Sequence, residues 1–566
     1  MSSTDRNNAA DNTEGVMLLP EPIATPANGT EAPSQSSTQP AVAAAIGEEA
    51  TAGVPRNQTG SIPLIRPRDG DTTEPPPHPV DGEALPNIWI YDGEAYDLTP
   101  FIAKHPGGQF FIGRTKNRDI TTIVNIFHPN PEKVKKIIQK YSLNKSARPE
   151  HIHPKYNAPP FLFRQDFNGW RDTPRYDFRN KEQLLFKIKE RVYEKEFQRK
   201  VARMDSLFNI ASIVILVMYF AVQWLYLDFR QYMPIYPFVL LMSMLRISLA
   251  GVGHYLIHRP QVGMNKALAN VFDINYVPLA LVVTDGHTLL HHPFTQTEVD
   301  IKKNVFTFML EVPRFYRIPA HTIQKIGHIV TGMFARIVEL IFMAIRTGVA
   351  DMYGSWRLGL PHFIGSFGIH ALLLGELIVF AIRGEFLAWF AQFFVTVWIS
   401  TFMIVASHDF ETDLPQPGGA PPEPNHDNPA ADISSEAAPA PDWAVFQLQN
   451  SYDLTMIGNK YIDSFLTAGL GPHRAHHVLP QQKSGFANII SEDIVREEAA
   501  KFDVEWLESR NFFTNRLPVL MQYYLGTPSR MAQYEKYGFF KEHFHPRALK
   551  TAFDYMLSGW IGIGSI

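Results

Sequence analysis

The chain has 566 residues, a formal net charge of −4 and no cysteine. This length indicates about two to four structural units, and the near-neutral charge gives no indication of a nucleic-acid partner. The lack of cysteine excludes disulfides, thiolate nucleophiles, cysteine-based zinc sites and iron–sulfur clusters, so any metal must be held by histidine, carboxylate or amide ligands.

The N-terminal part of the chain divides into three segments. Residues 1–82 are rich in Ala, Pro, Ser and Thr and contain no aromatic residue, which predicts a disordered segment. No apolar stretch follows the start, so this segment is not typical of a signal peptide. Residues 84–147 predict a small α+β domain, and residues 148–204 predict a linker followed by one basic amphipathic helix, "KEQLLFKIKERVYEKEFQRKVAR".

Four long apolar runs follow, at 206–227, 231–253, 358–382 and 386–407. The first run holds 22 uncharged residues, which as a helix span roughly 33 Å and cross a hydrocarbon core of about 30 Å. Short connections join the runs in pairs, so the sequence predicts a mainly α, polytopic membrane protein with four transmembrane helices in two hairpins. The basic residues before the first run place that side in the cytosol by the positive-inside rule.

Three other segments have weaker patterns. Residues 274–284 are apolar but too short to span, which favours a re-entrant or interfacial segment. Residues 332–353 predict an amphipathic helix lying in the membrane interface. Residues 411–442 are rich in Pro and Ala and are typical of a flexible insertion. We divide the remainder into a membrane domain at 205–500 and a C-terminal extension at 501–566.

Eight of the 21 histidines fall in three short windows. The windows have the patterns HxxxH, HxxxHH and HxxHH, formed by His254 and His258, then His287, His291 and His292, then His473, His476 and His477. Residues at i and i+4 of a helix share a face, so the first pair can reach one metal, as can His287 and His291. The adjacent histidines present imidazoles in two directions, which suits two metals. Imidazole binds Fe, Zn, Cu and Ni, and composition does not choose among them.

The two predicted hairpins bring the three windows together. The first window follows the second apolar run, the second precedes the third run, and the last follows the fourth run. All eight histidines are therefore expected on one side of the membrane, in a cytosolic histidine-rich cap. His408 ends the fourth run at the same level and is a ninth candidate ligand, with an interfacial histidine beside Asp409 as the alternative. Weaker candidates lack a histidine partner at i+3 or i+4: His321, His328, His362 and His370.

The α+β segment contains a second kind of histidine pair. "AYDLTPFIAKHPGGQFFI" and "RDITTIVNIFHP" place His105 and His128 23 residues apart. HPGG, the preceding YDLT and the second histidine in FHP resemble the cytochrome b5 family. The resemblance implies haem b ligated by His105 and His128 and one-electron transfer, whereas the alternative is a tight turn with an incidental histidine.

Together with the three boxes, this module makes the chain resemble the membrane fatty acid desaturases with an N-terminal cytochrome b5 domain. The boxes stand in the family's order, and "DWAVFQLQNSYD" before the third box is also similar. The resemblance implies O2-dependent desaturation of a long-chain fatty acyl or sphingoid chain at two non-haem Fe ions, ligated by the box histidines and His408. It further implies electrons from NADH through cytochrome b5 reductase and a multi-pass protein of the endoplasmic reticulum whose active site faces the cytosol. The substrate is then an acyl-CoA, an acyl-lipid or a ceramide.

Double-bond position stays open, because front-end desaturases have Gln where this chain has His473. A fatty acid or sphingolipid hydroxylase shares the same cofactors, but the 180 residues and complete hairpin between His292 and His473 favour the desaturase arrangement. Two further alternatives are a membrane-tethered electron carrier and a metal transporter. A transporter is disfavoured because its polar residues belong within the spans.

Overall fold

The computed structural model describes residues 88–149, 176–258, 269–275, 284–297, 300–346, 348–349, 356–410, 442–529 and 538–561. The predicted disordered segment at 1–82, most of the apolar segment at 274–284 and nearly all of the loop at 411–442 lie outside these residues.

The N-terminal domain is a four-stranded sheet flanked by short helices, which confirms the predicted α+β domain. The strand order is β3-β1-β2-β4, with β1 at Trp89–Tyr91, β2 at Glu94–Tyr96, β3 at Arg118–Asp119 and β4 at Ser142–Ser146. Its α-helices are Thr99–Ile102, Gln109–Arg114, Thr121–Phe127 and Pro131–Ile138. Asp92 and Gly93 take φ values of 53° and 79°, as the tight turn between β1 and β2 requires.

The basic stretch before the membrane domain differs from the single helix expected over 181–203. It forms two helices, Leu184–Val192 and Lys195–Asp228, because Glu194 has extended backbone angles, with φ −57° and ψ 139°. The second helix runs for 34 residues, so its basic N-terminal part continues directly into the first apolar run.

Four helices in the described part of the chain are long and apolar enough to cross a membrane, as predicted. We name them span 1 (Lys195–Asp228), span 2 (Ile235–Leu256), span 3 (Gly359–Ile382, within the helix Trp356–Ile382) and span 4 (Phe386–Ala406). Six residues connect spans 1 and 2 and three connect spans 3 and 4, so the spans form two hairpins.

One buried polar network holds the four spans together. Arg246 of span 2 forms an ion pair with Glu376 of span 3, with 2.6 Å between Nη2 and Oε2. The Arg246 Nε–H also donates to Gln392 Oε1 of span 4 at 2.6 Å, and the Tyr219 hydroxyl of span 1 donates to Glu376 Oε1 at 2.5 Å. The charged residues that interrupt the apolar runs therefore neutralise each other, which is how charges are tolerated at membrane depth.

Shorter α-helices complete the membrane domain and the C-terminal segment. They are Ile301–Glu311, Arg317–Gly327, Met333–Arg346, Trp443–Gln449, Lys460–Leu466, His473–Val478, Gly485–Ala500, Leu517–Gly526, Phe539–Phe544 and Pro546–Trp560. A two-stranded parallel sheet pairs β5, Leu454–Thr455, with β6, Arg510–Asn511. The helix Met333–Arg346 exposes Phe334, Val338 and Ile345, an apolar surface suited to a membrane interface.

Residues beyond 500 pack closely onto the rest of the chain. Helix Pro546–Trp560 crosses Arg317–Gly327 at Gly559, where an added Cβ would lie 1.9 Å from the carbonyl oxygen of Gln324. The Arg516 guanidinium donates to the carbonyl oxygens of Ala406 and His408, at 3.0 and 2.9 Å. The C-terminal segment thus supports the backbone at the end of span 4.

Candidate functional site

The structure brings all eight box histidines and His408 into one buried cluster. His254 lies in the last turn of span 2, and His258 follows that span by two residues. A π-helix, Thr284–His291, carries the second box, and the helix His473–Val478 carries the third. His408 follows span 4 by two residues, and each of the nine side chains is at most 5% exposed. The short connections of both hairpins lie at the other end of the bundle, which is why these distant windows meet.

Five of the imidazoles form a first group, in which one ring nitrogen from each lies within 4.8 Å of all the others. Its members are His254, His258, His287, His292 and His476. The Nε2 atom of His287 lies 3.1 Å from Nε2 of His258 and 3.1 Å from Nε2 of His292. Two nitrogens that bind one ion at about 2.1 Å are separated by about 3 Å, so this spacing fits a shared metal.

A second group adjoins the first and contains His291, His408 and His477, again within 4.8 Å of one another. His473 borders it, with its Nε2 atom 3.1 Å from Nε2 of His477. The expectation that His287 and His291 reach the same metal is wrong for this geometry. The box is a π-helix, with the His292 N–H donating to the His287 carbonyl oxygen at 3.1 Å, and it places His287 with His292 while His291 faces the other group.

Fixed acceptors orient the rings from behind. The Nδ1–H of His254 donates to the carbonyl oxygen of Ala468 at 3.0 Å, and that of His291 donates to the Asp300 carboxylate at 2.9 Å. The same pattern joins His408 to Asn450 O, His473 to Ser407 O and His477 to Gln447 Oε1. A donating Nδ1 leaves Nε2 as the lone-pair nitrogen, so the rings present metal-binding atoms to the interior of the cluster.

Several of these interior nitrogens have no hydrogen-bond partner although they are buried. They include Nε2 of His254, His291 and His408 and both ring nitrogens of His476. Buried polar atoms are almost always satisfied, so a set of converging orphan nitrogens fits bound metal. Burial lowers the pKa of the imidazoles outside the spans, from His258 to His477, well below the usual value. They are therefore neutral at physiological pH, which is the form that binds metals.

Close backbone approach supports the first group. Gly469 has a φ of +88°, and a Cβ added there would lie 2.5 Å from Nδ1 of His254. Only glycine combines this left-handed conformation with room for the ring.

The N-terminal domain holds the second kind of site. The rings of His105 and His128 face each other with centroids 6.0 Å apart and 67° between their planes. Nδ1–H of His105 donates to Gly108 O at 2.6 Å, and Nδ1–H of His128 donates to Val124 O at 3.1 Å, so a haem iron between the rings would bind their Nε2 atoms. A Cβ on Gly107 would lie 2.9 Å from Cε1 of His105, which explains the first glycine of HPGG.

Some residues of the site were not identified from the sequence. Gln447 and Asn450 lie in "DWAVFQLQNSYD", the segment noted for its family similarity, whereas Asp300 follows the second box without a recognisable motif. Conversely, neither histidine group includes the four weaker candidates. His321, for example, is hydrogen bonded through Nδ1 to the Tyr555 hydroxyl at 2.8 Å.

Comparison with known proteins gives two family matches. Residues 81–145 match the cytochrome b5-like haem/steroid binding domain, and residues 231–484 match the fatty acid desaturase family. The probable Delta(5) fatty acid desaturase C of Dictyostelium discoideum is 21% identical over 456 residues, which cover 75% of this chain and 89% of that protein. A cytochrome b5-related protein of Drosophila melanogaster is 42% identical over 64 residues, covering 11% of this chain and 14% of that protein. No solved structure matches the chain.

Proposed function

Because this chain is a membrane fatty acid desaturase with a fused cytochrome b5-like domain, we propose that it introduces a double bond into a long-chain fatty acyl or sphingoid chain at a two-iron centre. The box histidines and His408 would hold the two non-haem irons, and haem b on His105 and His128 would deliver the electrons. The observation that carries this proposal is the pair of adjoining groups of buried, neutral imidazoles with converging orphan nitrogens.

Bound iron would supply the activation of O2 that removes two hydrogens from adjacent methylene groups. The reaction balances with one O2, two electrons arriving through the haem and two protons, and it yields the alkene and two waters. This chain's own residues contribute position and environment. The fixed Nδ1 acceptors hold the rings, and the buried site excludes bulk water.

A small pocket adjoins the second group at His408. Phe306, Leu310 and Val405 give it an apolar wall, and Lys302 and Lys303 also line it. We assign the acyl chain to this side of the cluster, because an apolar wall suits methylenes.

The cellular setting follows from the same proposal. The basic residues at the start of span 1 favour a cytosolic position for the histidine cluster by the positive-inside rule. Cytosolic NADH would then reach the haem through cytochrome b5 reductase, which agrees with residence in the endoplasmic reticulum membrane.

Expression in yeast, followed by profiling of total fatty acids and sphingoid bases, tests the activity. We expect new double bonds, located by derivatisation, with the intact chain and with a His545→Ala control at the start of the C-terminal helix. A His292→Ala variant should form none. Hydroxylated chains instead of alkenes would replace this proposal with a hydroxylase, and no lipid product would contradict it.

A further inference from the structure

An aromatic side chain, that of Phe127, lies between the two sites. Phe127 is the last residue of the helix Thr121–Phe127, and His128 follows it directly. The Phe127 ring stacks on the imidazole of His258, with centroids 6.3 Å apart and planes inclined by 29°. His258 belongs to the first histidine group, so one ring contacts that group and is covalently adjacent to the predicted haem ligand.

The surrounding contacts fix this ring in place. Phe111 stacks on Phe127 from within the N-terminal domain, with centroids 6.3 Å apart. Ile123 packs with Leu289 and Leu290, two of the three residues between His287 and His291 of the second box. The apolar part of that box therefore faces the haem-binding domain, while its histidines face the metal groups.

A buried lysine fixes the other side of the same helix end. Lys189 is 3% exposed, and its Nζ donates to the carbonyl oxygens of His128, at 2.7 Å, and Asn125. Lys189 lies on the helix Leu184–Val192, which packs in one apolar core with Trp443 and Val495 beside the third box. The backbone of His128 is thus tied to the domain that carries the metal groups.

We propose that Phe127 is the bridge through which electrons pass from the haem to the first histidine group, entering at His258. This inference rests on the proposed function and specifies its electron route. In each pass, ferrous haem is oxidised to ferric haem and one non-haem ferric ion is reduced to ferrous, and two passes supply one double bond. A ring stacked on His258 and covalently joined to His128 gives a continuous path between the two sites.

The test uses the full chain loaded with haem and iron. The haem is reduced anaerobically, the protein is mixed with O2 and acyl substrate, and re-oxidation of the haem is followed at its Soret band, with the iron-depleted chain as background. We expect Phe127→Leu to slow re-oxidation about tenfold or more, since small displacements of reacting groups have effects of that size. Phe127→Tyr should restore the rate. Phe540→Leu, which changes an exposed ring beside Phe544, should behave as the parent chain.

Two controls distinguish the loss of the Phe127 ring from a loss of packing between the domains. Ile123→Ala loosens the same apolar contact but keeps the ring, so it should transfer electrons faster than Phe127→Leu. Hydrogen exchange of the apo chain reports docking without any cofactor, and protection of residues 121–127 should be equal in Phe127→Leu and the parent chain. Parent-like re-oxidation in Phe127→Leu, or equal slowing in Ile123→Ala, would overturn the proposal.

Chemical reduction of the non-haem iron distinguishes a failure of the Phe127 bridge from a failure of the proposed desaturase activity. When dithionite and a viologen reduce the non-haem iron directly, one turnover no longer needs the haem. Phe127→Leu should then form as much alkene as the parent chain. A parent chain that forms none contradicts the proposed function, whereas a defect in Phe127→Leu under these conditions contradicts the bridge.

Discussion

At the residue scale, the orientation of the imidazoles depends on acceptors behind them. Four of the five Nδ1 contacts go to neutral oxygens of the backbone or of Gln447, and the fifth goes to the Asp300 carboxylate. A carboxylate behind an imidazole raises the basicity of the other ring nitrogen. His291 is therefore expected to be the strongest donor of the second group.

Replacing Asp300 should weaken metal binding without removing a ligand. Asp300→Ala should lower iron affinity about 10–100-fold, the usual effect of losing such a partner. Asp300 also caps the helix Ile301–Glu311 through Lys302 N, so Asp300→Asn is the matched variant that keeps a cap and a neutral acceptor. Iron titration should give the highest affinity for the parent chain, a lower affinity for Asp300→Asn and the lowest for Asp300→Ala. Equal affinity in all three would show that the contact is only structural.

His408 is expected to be a ligand of one of the two non-haem irons and not of the other. Its Nε2 atom is buried, orphaned and grouped with His291 and His477, so His408→Ala should lose one of the two non-haem irons together with turnover. His321→Ala is the matched control, because it removes a buried imidazole outside both groups. If His408→Ala kept both non-haem irons and most of its turnover, the ligand set would stop at the three boxes.

At the scale of elements, the spans depend on the ion pair between Arg246 and Glu376. Removing one partner leaves a buried uncompensated charge, so Glu376→Gln should lower the free energy of unfolding by about 3–5 kcal/mol. The double variant Arg246→Met with Glu376→Leu removes both charges and should recover most of that loss. Thermal unfolding in detergent measures both. If Glu376→Gln alone unfolded at the same temperature as the parent chain, the ion pair would not hold the bundle together.

The helix Arg317–Gly327 should make stability depend on pH through Lys325. Burial lowers the pKa of Lys325 from 10.5 to about 8, so the unfolded chain binds the proton more tightly than the folded one. Stability should therefore rise as pH increases from about 8 to 10.5, and below pH 8 the full penalty remains, at most about 3 kcal/mol. Lys325→Met should unfold at a higher temperature than the parent at pH 7.5, with a difference that shrinks towards pH 10. A constant difference would contradict the assignment.

Element prediction succeeded where the signal was local. Apolar runs gave the four spans to within a few residues at every end except the start of span 1, where the helix begins at Lys195 and not at 206. Length and hydropathy decide whether a helix can cross a membrane. The break at Glu194 was missed, since the helical periodicity continues on both sides of it. The π-helix of the second box was missed for a similar reason, and it changed which histidines share a group.

At the scale of the whole molecule, hairpin topology was sufficient to predict that distant histidines meet. It was not sufficient to predict Asp300 behind His291, or Phe127 and Lys189 at the contact between the domains. These contacts join residues through tertiary packing and carry no periodic or motif signal. The sequence thus predicted the ligand types, and the structure supplies their grouping and their connection to the haem-binding domain.

The iron-to-haem ratio of the purified full chain tests the central claim most directly. Two histidine groups and one bis-histidine haem site predict three irons per chain, of which one is in haem and two are non-haem. In His254→Ala and His476→Ala the haem iron should remain while the non-haem iron falls. One haem iron with no non-haem iron in the parent chain would contradict the account and would describe a membrane-tethered electron carrier.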